Sequence, residues 1–368
     1  MRTRLVAGLV LLAVLGAGAA LWRSRDRARH LAVPVLSDPS LPEPPPLALP
    51  EGPPCALAEL ARVGGRVTAV LAASDGWVHV GTFEGGLLRL PPSGGEPSSD
   101  PALLPLSGRE RFVNALAEHE GLVWAATQGG AVAFDGERRV LSLLPRDGVT
   151  ALEVAGGALY AGTARGVFRL SVAGGAEPVE ARGPAGEPLR VSALAASGGS
   201  LWIGTASGVY GLPLASVEAP LLARTARWVP LVFGDPPATT NVVTALAPLG
   251  DGVVAGTDDG GLVRVRQDGA VVAVRTAEAR ANEVNPGAAA RVSGGAALGT
   301  QGGGLLLARP RGDGLLVERI ARGEISAVGA KGRGPGDLLL GTADGAVLSA
   351  TCAPAGIHAQ ATHPPGDG

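Results

Sequence analysis

Seven threonines at near-regular intervals decide what this chain can fold into. Thr82, Thr127, Thr163, Thr205, Thr257, Thr300 and Thr342 each follow a glycine or alanine that ends an apolar run. Their successive spacings are 45, 36, 42, 52, 43 and 42 residues, a mean near 43. Each run is preceded by a β-branched residue, a small polar residue and a further small residue, as in Val67-Thr-Ala-Val, Val113-Asn-Ala-Leu and Ile325-Ser-Ala-Val. A Gly-containing turn and a second apolar run follow each threonine. The sixth copy is degenerate and begins Val284-Asn-Pro-Gly. These runs are strand-length and lack the i, i+3, i+4 spacing of helices, and a period of ~40–45 residues built only of strands is that of a four-stranded propeller blade. The sequence predicts an all-β fold, a seven-bladed β-propeller.

Within a copy, the Val-Thr-Ala-Leu run reads as the inner strand and the stretch ending in Gly-Thr as the second. The Gly-rich turn makes a hairpin to the third, because glycine takes positive φ without steric cost. Less regular runs such as Arg139–Leu144, Trp228–Phe233 and Val271–Val274 supply the fourth. Small residues before each threonine suit blades that taper toward a crowded axis. The small polar residue after the leading Val or Ile (Thr68, Asn114, Thr150, Ser192, Thr244, Asn285, Ser326) is expected to bond between blades rather than to hold a ligand.

The seventh copy supplies three strands and stops at Thr351-Cys352, while Ala56–Val63 is a strand-length segment with no blade of its own. The economical arrangement makes this N-terminal strand the outer strand of the last blade, which removes an open edge. Cys55 would then lie beside Cys352, with Cα atoms ~5.5 Å apart and in bonding reach. A disulfide closing so long a loop restricts the unfolded chain by ~5 kcal/mol on the entropic account. It also argues for an oxidising compartment.

Before the repeats, Leu5–Trp22 is uncharged for 18 residues, between Met1-Arg-Thr-Arg4 and a cluster of four arginines from Arg23 to Arg29. At ~1.5 Å per residue such a helix approaches the ~30 Å hydrocarbon core, so residues 1–22 read as a transmembrane signal-anchor or a signal peptide. Ala17-Gly18-Ala19 favours cleavage; the length of the run and the arginines behind it favour retention. Residues 23–54 read as a basic and then Pro-rich linker, extended and semi-rigid, that stands the domain (55–352) off the membrane. Residues 353–368 are expected to be a disordered tail. The formal net charge is −2 and aromatic residues are 3% of the chain, which leaves neither a basic field nor stacking platforms for nucleic acid.

Ser200-Leu-Trp-Ile-Gly-Thr205-Ala-Ser-Gly-Val-Tyr210 and Leu122-Val-Trp-Ala-Ala-Thr127 resemble the two-component regulator propeller repeat. That resemblance spans roughly residues 56–352 and implies an extracytoplasmic sensor propeller. It departs from the family in that no kinase, regulator or cyclase segment follows Cys352, so a sensed signal would pass to a separate protein. The flanking arginines lean toward a cytoplasmic propeller, whereas the cysteine pair leans toward export. We read an inner-membrane signal-anchor with the propeller in the periplasm; the alternatives are a cleaved, secreted domain and a cytoplasm-facing one.

Chemistry-bearing patterns are sparse. His30, His358 and His363 lie outside the repeats; His79 falls in a second strand and His119 in a turn, and no pair has ligand spacing. No metal or cofactor is expected. Asp258, Asp259 and Asp344 occupy hairpin turns, where aspartate commonly serves turn geometry. Arg66 and Arg190 immediately precede an inner-strand Val and Arg111 lies two before its own, so the three are candidates for an anion- or acid-binding crown at the channel mouth. The resulting expectation is a monomeric, non-catalytic, membrane-tethered propeller that binds a protein partner or small ligand on its loop face, as a sensor or envelope scaffold. The alternative is a propeller hydrolase or lyase with Glu84, Asp258 and Asp344 converging at that mouth.

Overall fold

The computed structural model describes residues 46–91, 102–173, 175–183, 186–214, 227–229, 242–330 and 337–352. The expected membrane segment, the basic linker and the C-terminal tail lie outside them. Among the described residues, no helix is long and apolar enough to cross a membrane.

Seven antiparallel sheets of four strands each form the ring. The inner strands are Val67–Ala72, Val113–His119, Val149–Ala155, Val191–Ser197, Val243–Leu249, Val284–Val292 and Ile325–Ala330, which open blades 1 to 7 in chain order. His119 thus ends an inner strand and is not in a turn. Outer strands such as Arg138–Leu143 and Val271–Val274 fall within a residue of the expected runs. Arg227–Val229 is the described part of the fourth blade's outer strand, and the rest of the expected Trp228–Phe233 run lies beyond the described residues.

The repeated threonines have a common role. Each hydroxyl donates to a main-chain carbonyl three or four residues on, Thr163 to Gly166 and Thr300 to Gly304 for example, and so ties the turn between second and third strands. The glycine that precedes six of the seven threonines (Ala126 stands there in blade 2) has a different cause. A Cβ on Gly162 would stand 2.4 Å from Cγ1 of Val191, and one on Gly341 would stand 2.2 Å from Cγ1 of Val67. The missing side chain is the space into which the next blade's leading valine packs, and this is how the wedge narrows toward the axis.

A second ring of bonds joins the blades. Thr68 donates to Val113 O, Asn114 to Val149 O, Thr150 to Val191 O and Ser192 to Val243 O; Asn285 donates to Ile325 O and Ser326 to Val67 O. Each bond reaches the leading residue of the following blade, as expected from the sequence. The belt breaks between blades 5 and 6, where Thr244 donates instead to Gly256 O in its own blade. There the sixth inner strand carries a bulge: Val284 pairs with Thr300, and pairing resumes only at Ala289 with Leu298.

Ala56–Arg62 pairs with Ala346–Thr351 and closes the seventh blade. The register runs Ala56 opposite Thr351, so Cys55 and Cys352 are the next opposed pair and form a disulfide. Their Cα atoms are 4.1 Å apart, closer than the ~5.5 Å expected. Directly opposed positions in an antiparallel pair come as near as ~4.5 Å when they are not hydrogen-bonded to each other.

The end of the Pro-rich segment is not a free spacer. Leu47 and Glu51 form parallel bridges with Thr276 and Arg319, and Gly52 N–H bonds Arg319 O at 2.8 Å. Residues 47–55 therefore strap the rim of blade 6 before the chain enters blade 7. The anchor is Arg319, 5% exposed, which donates to Gly303 O at 2.8 Å, to Glu51 at 3.0 Å and to Glu278. Proline explains the extension of this segment; Glu51 and the main-chain bonds explain its attachment.

Candidate binding face

The connections that lead into each inner strand and the turns between second and third strands share one face of the ring. Three features of blade 6 meet there. The bulge carries Asn285, Pro286, Gly287 and Ala288 toward the axis, and a Cβ on Gly287 would lie 3.7 Å from Asn114 O in blade 2. The inner strand of blade 6 also comes into contact with those of blades 1 and 4, which are not its neighbours in the ring. Finally, the side-chain carbonyl oxygen of Asn285 accepts from Arg66 of blade 1 at 2.6 Å.

Arg66 is thereby committed. Its second guanidinium nitrogen is 3.0 Å from Glu324, in the connection between blades 6 and 7. Arg111 and Arg190 behave differently: both are exposed, and the side chain of neither hydrogen-bonds or pairs with another described residue. The three candidate arginines thus do not form one crown. Arg66 fastens the bulge across the channel end, while Arg111 and Arg190, at blades 2 and 4, are exposed without a partner among the described residues.

The turn that carries Arg111 is held from below. Gly108–Arg111 is a single 3-10 turn, and both oxygens of Glu110 accept from the guanidinium of Arg139, at 2.7 and 2.9 Å. Burial opposes ionisation of Glu110, but the bonds from Arg139 and Ser107 prevail and hold its pKa below the ordinary value. Beside this turn, Phe83 and Phe112 meet edge to face, with ring centroids 5.2 Å apart. The exposed Phe83 had no signal in the sequence beyond the scarcity of aromatic residues.

The carboxylates considered for catalysis sit on blades 1, 5 and 7. Glu84 is exposed, with a φ of 72°. The Asp258 N–H bonds Val242 O. The Asp344 carboxylate accepts from the Thr342 hydroxyl at 2.5 Å and from Arg62 at 2.9 Å, and these bonds lower its pKa. A general acid needs the opposite shift. Among the described residues, no group of three or more His, Cys, Asp or Glu side chains is arranged to hold a metal ion.

Two perturbed groups lie away from this face, between blades. Glu153, in the third inner strand, is pushed up to about 7 by burial, although it accepts the Ala196 N–H of blade 4 at 3.0 Å. His79, in blade 1, is 1% exposed and neither ring nitrogen has a partner. Burial takes it down to about 4, with Asp75 and Glu118 pulling upward and Arg89 downward.

No protein-family model and no curated protein matches the sequence. Solved structures do resemble the fold. The extracellular domains assigned to two hybrid two-component systems of B. thetaiotaomicron align over 82% of this chain at 15% and 16% identity, with TM-scores of 0.56 and 0.55. The chain spans only 40% and 42% of their length. Virginiamycin B lyase from Staphylococcus aureus aligns over 81% of this chain and 100% of its own, at 12% identity and a TM-score of 0.62. Identities this low speak to architecture alone. The chain therefore shares its fold with the extracellular domains of two-component systems, in keeping with the resemblance carried by its Leu-Trp-Ile-Gly-Thr repeat.

Proposed function

We propose that this propeller is a non-catalytic binding module, tethered by its N-terminal apolar segment in the inner membrane with the ring in the periplasm. It engages a protein partner or small ligand on the face of its inner-strand connections, as a sensor or envelope scaffold. One observation carries the reading. Blade 6 projects into the channel end at that face and consumes Arg66 in fixing itself there, while Arg111 and Arg190 are exposed around it and have no partner among the described residues. Free guanidinium groups with a rigid backing suit recognition of carboxylate or phosphate. The Cys55–Cys352 disulfide fits an oxidising compartment.

A photo-cross-linking residue at position 111 or 190, compared with one at Gly157 in a turn of the opposite face, tests the reading in intact membranes. Specific adducts from 111 and 190 but not from 157 are expected; adducts from 157 alone would remove the face from consideration. An alkaline phosphatase fusion at the C-terminus tests the topology, and an inactive fusion would place the ring in the cytoplasm.

A further inference from the structure

We propose that the seam between blades 1 and 2 on this face docks an acidic peptide segment of a protein partner, through an aromatic or aliphatic anchor residue. The proposal rests on the reading that this face binds, and it names the partner's chemistry and the point of contact.

Three observations converge on the seam. Phe83 is 49% exposed, a large apolar ring held at the surface of a turn. Its edge-to-face contact with Phe112 fixes an apolar spot across the two blades. Leu103, 63% exposed, extends that spot: its Cδ1 would lie 3.4 Å from a Cβ on Gly86, at the end of the turn that holds Phe83. The second observation is charge. Arg109 and Arg111 flank the clamped Glu110, both exposed and without a partner among the described residues, in the turn that ends at Phe112. The carboxylates of Glu110 and Glu324 are already engaged, by Arg139 and Arg66. The third is the backbone of Glu84 itself, at a φ of 72° beside Phe83. Non-glycine residues adopt that region at a cost, and such residues gather at recognition sites.

The shape selects the class of partner. The spot stands on exposed turns, whereas small ligands need concave walls. A ring and two guanidinium groups on a rigid base are the typical centre of a protein interface. Carboxylates on the partner would accept from Arg109 and Arg111 while its anchor covers Phe83 and Leu103.

The purified full-length chain is used to select from a display library of random dodecapeptides. The enriched sequences are then synthesised and titrated by fluorescence anisotropy against wild type, Phe83→Ser, the Arg109→Glu/Arg111→Glu double variant and Arg190→Glu. Enriched peptides are expected to combine Asp or Glu with an aromatic or aliphatic residue. Affinity should fall ~10-fold with Phe83→Ser and by a similar factor with the double reversal, and Arg190→Glu, on the same face but two blades from the seam, should weaken it by less than either. Lys-for-Glu versions of the peptides should regain binding to the double variant. All these side chains are exposed, and unchanged thermal midpoints establish that the variants are folded. Peptides lost by Arg190→Glu yet retained by Phe83→Ser would overturn this inference and leave the binding face standing. Peptides indifferent to every variant, or no enrichment at all, would overturn both.

Discussion

His79 makes the ring sensitive to acid, by an amount that follows from its surroundings. Three residues before the repeated threonine, blades 2, 3 and 4 carry Trp124, Tyr160 and Trp202, which fill the space against the next blade; blade 1 carries His79. Its folded pKa is about 4, against an ordinary value of 6.5. The unfolded chain therefore takes up the proton first as pH falls, and stability declines with pH between 6.5 and 4. Above 6.5 both states are neutral at this site and the effect vanishes. One proton taken up only by the unfolded chain costs ~1.4 kcal/mol for each pH unit crossed, so the loss at pH 4.5 is ~2.5 kcal/mol. Burial sets the direction of the shift; Asp75 in the preceding turn and Glu118 in blade 2 favour protonation and Arg89 in the third strand of blade 1 opposes it, and the value of about 4 already includes all three. His79→Phe removes the titration and fills the site with an apolar ring, as in the neighbouring blades. Urea unfolding followed by tryptophan fluorescence should show this variant gaining on wild type by ~2.5 kcal/mol between pH 7.5 and 4.5. Taking the difference cancels the titration of other groups common to both proteins. A gap between the two proteins that does not change over that range would refute the reasoning.

Reduction of the disulfide should be costly: opening a loop of 297 residues amounts to ~5–6 kcal/mol on the entropic account, so denaturation midpoints with and without reductant should separate widely. Coincident curves would mean that strand pairing alone closes the ring. Gly341→Ala drives a methyl into Val67 and should destabilise by ~1–3 kcal/mol, with partial recovery in Gly341→Ala/Val67→Ala; thermal unfolding decides. Arg319→Ala takes the partner from Glu278, leaves Glu51 with Arg322 alone and leaves the Gly303 carbonyl unmet; because both carboxylates are half-exposed, the loss is ~1–3 kcal/mol. It should expose the chain before Cys55 to limited proteolysis, and an unchanged cleavage pattern would show that the main-chain bonds suffice to hold the strap.

The ring was legible because its requirements repeat. A threonine that ties a turn recurs in every blade, and a glycine that makes room for the next blade's leading Val or Ile recurs in all but the second, so noise in a single copy does not hide them. Closure by Ala56–Arg62 followed from counting strands, and the cysteine pairing followed from closure. What escaped were events that happen once. Asn285-Pro286-Gly287 reads as a weak copy of the repeat, yet its departure is a bulge that reaches across the axis. Arg66 looked free because its partners, Asn285 and Glu324, lie more than 200 residues away in sequence and become neighbours only when the ring closes. Proline content announced an extended segment at 34–54 but carried no word on whether its end docks. Phe83 lies in a turn, where an aromatic side chain follows no period, so neither its exposure nor its contact with Phe112 had a pattern to betray it.

The strap on blade 6 bears on how the ring would carry load. Tension on a chain that joined the protein directly at its closing strand would open that strand one hydrogen bond at a time, like a zipper. Here a pull from upstream of residue 46 first meets the parallel pairing at Leu47 and Glu51 and the side chain of Arg319. Whatever passes them reaches Cys55, which is covalently joined to Cys352 at the far end of the polypeptide that builds the ring. Force is thus divided between two blades and delivered to a circle with no free end, so the closing strand is never the first element to yield.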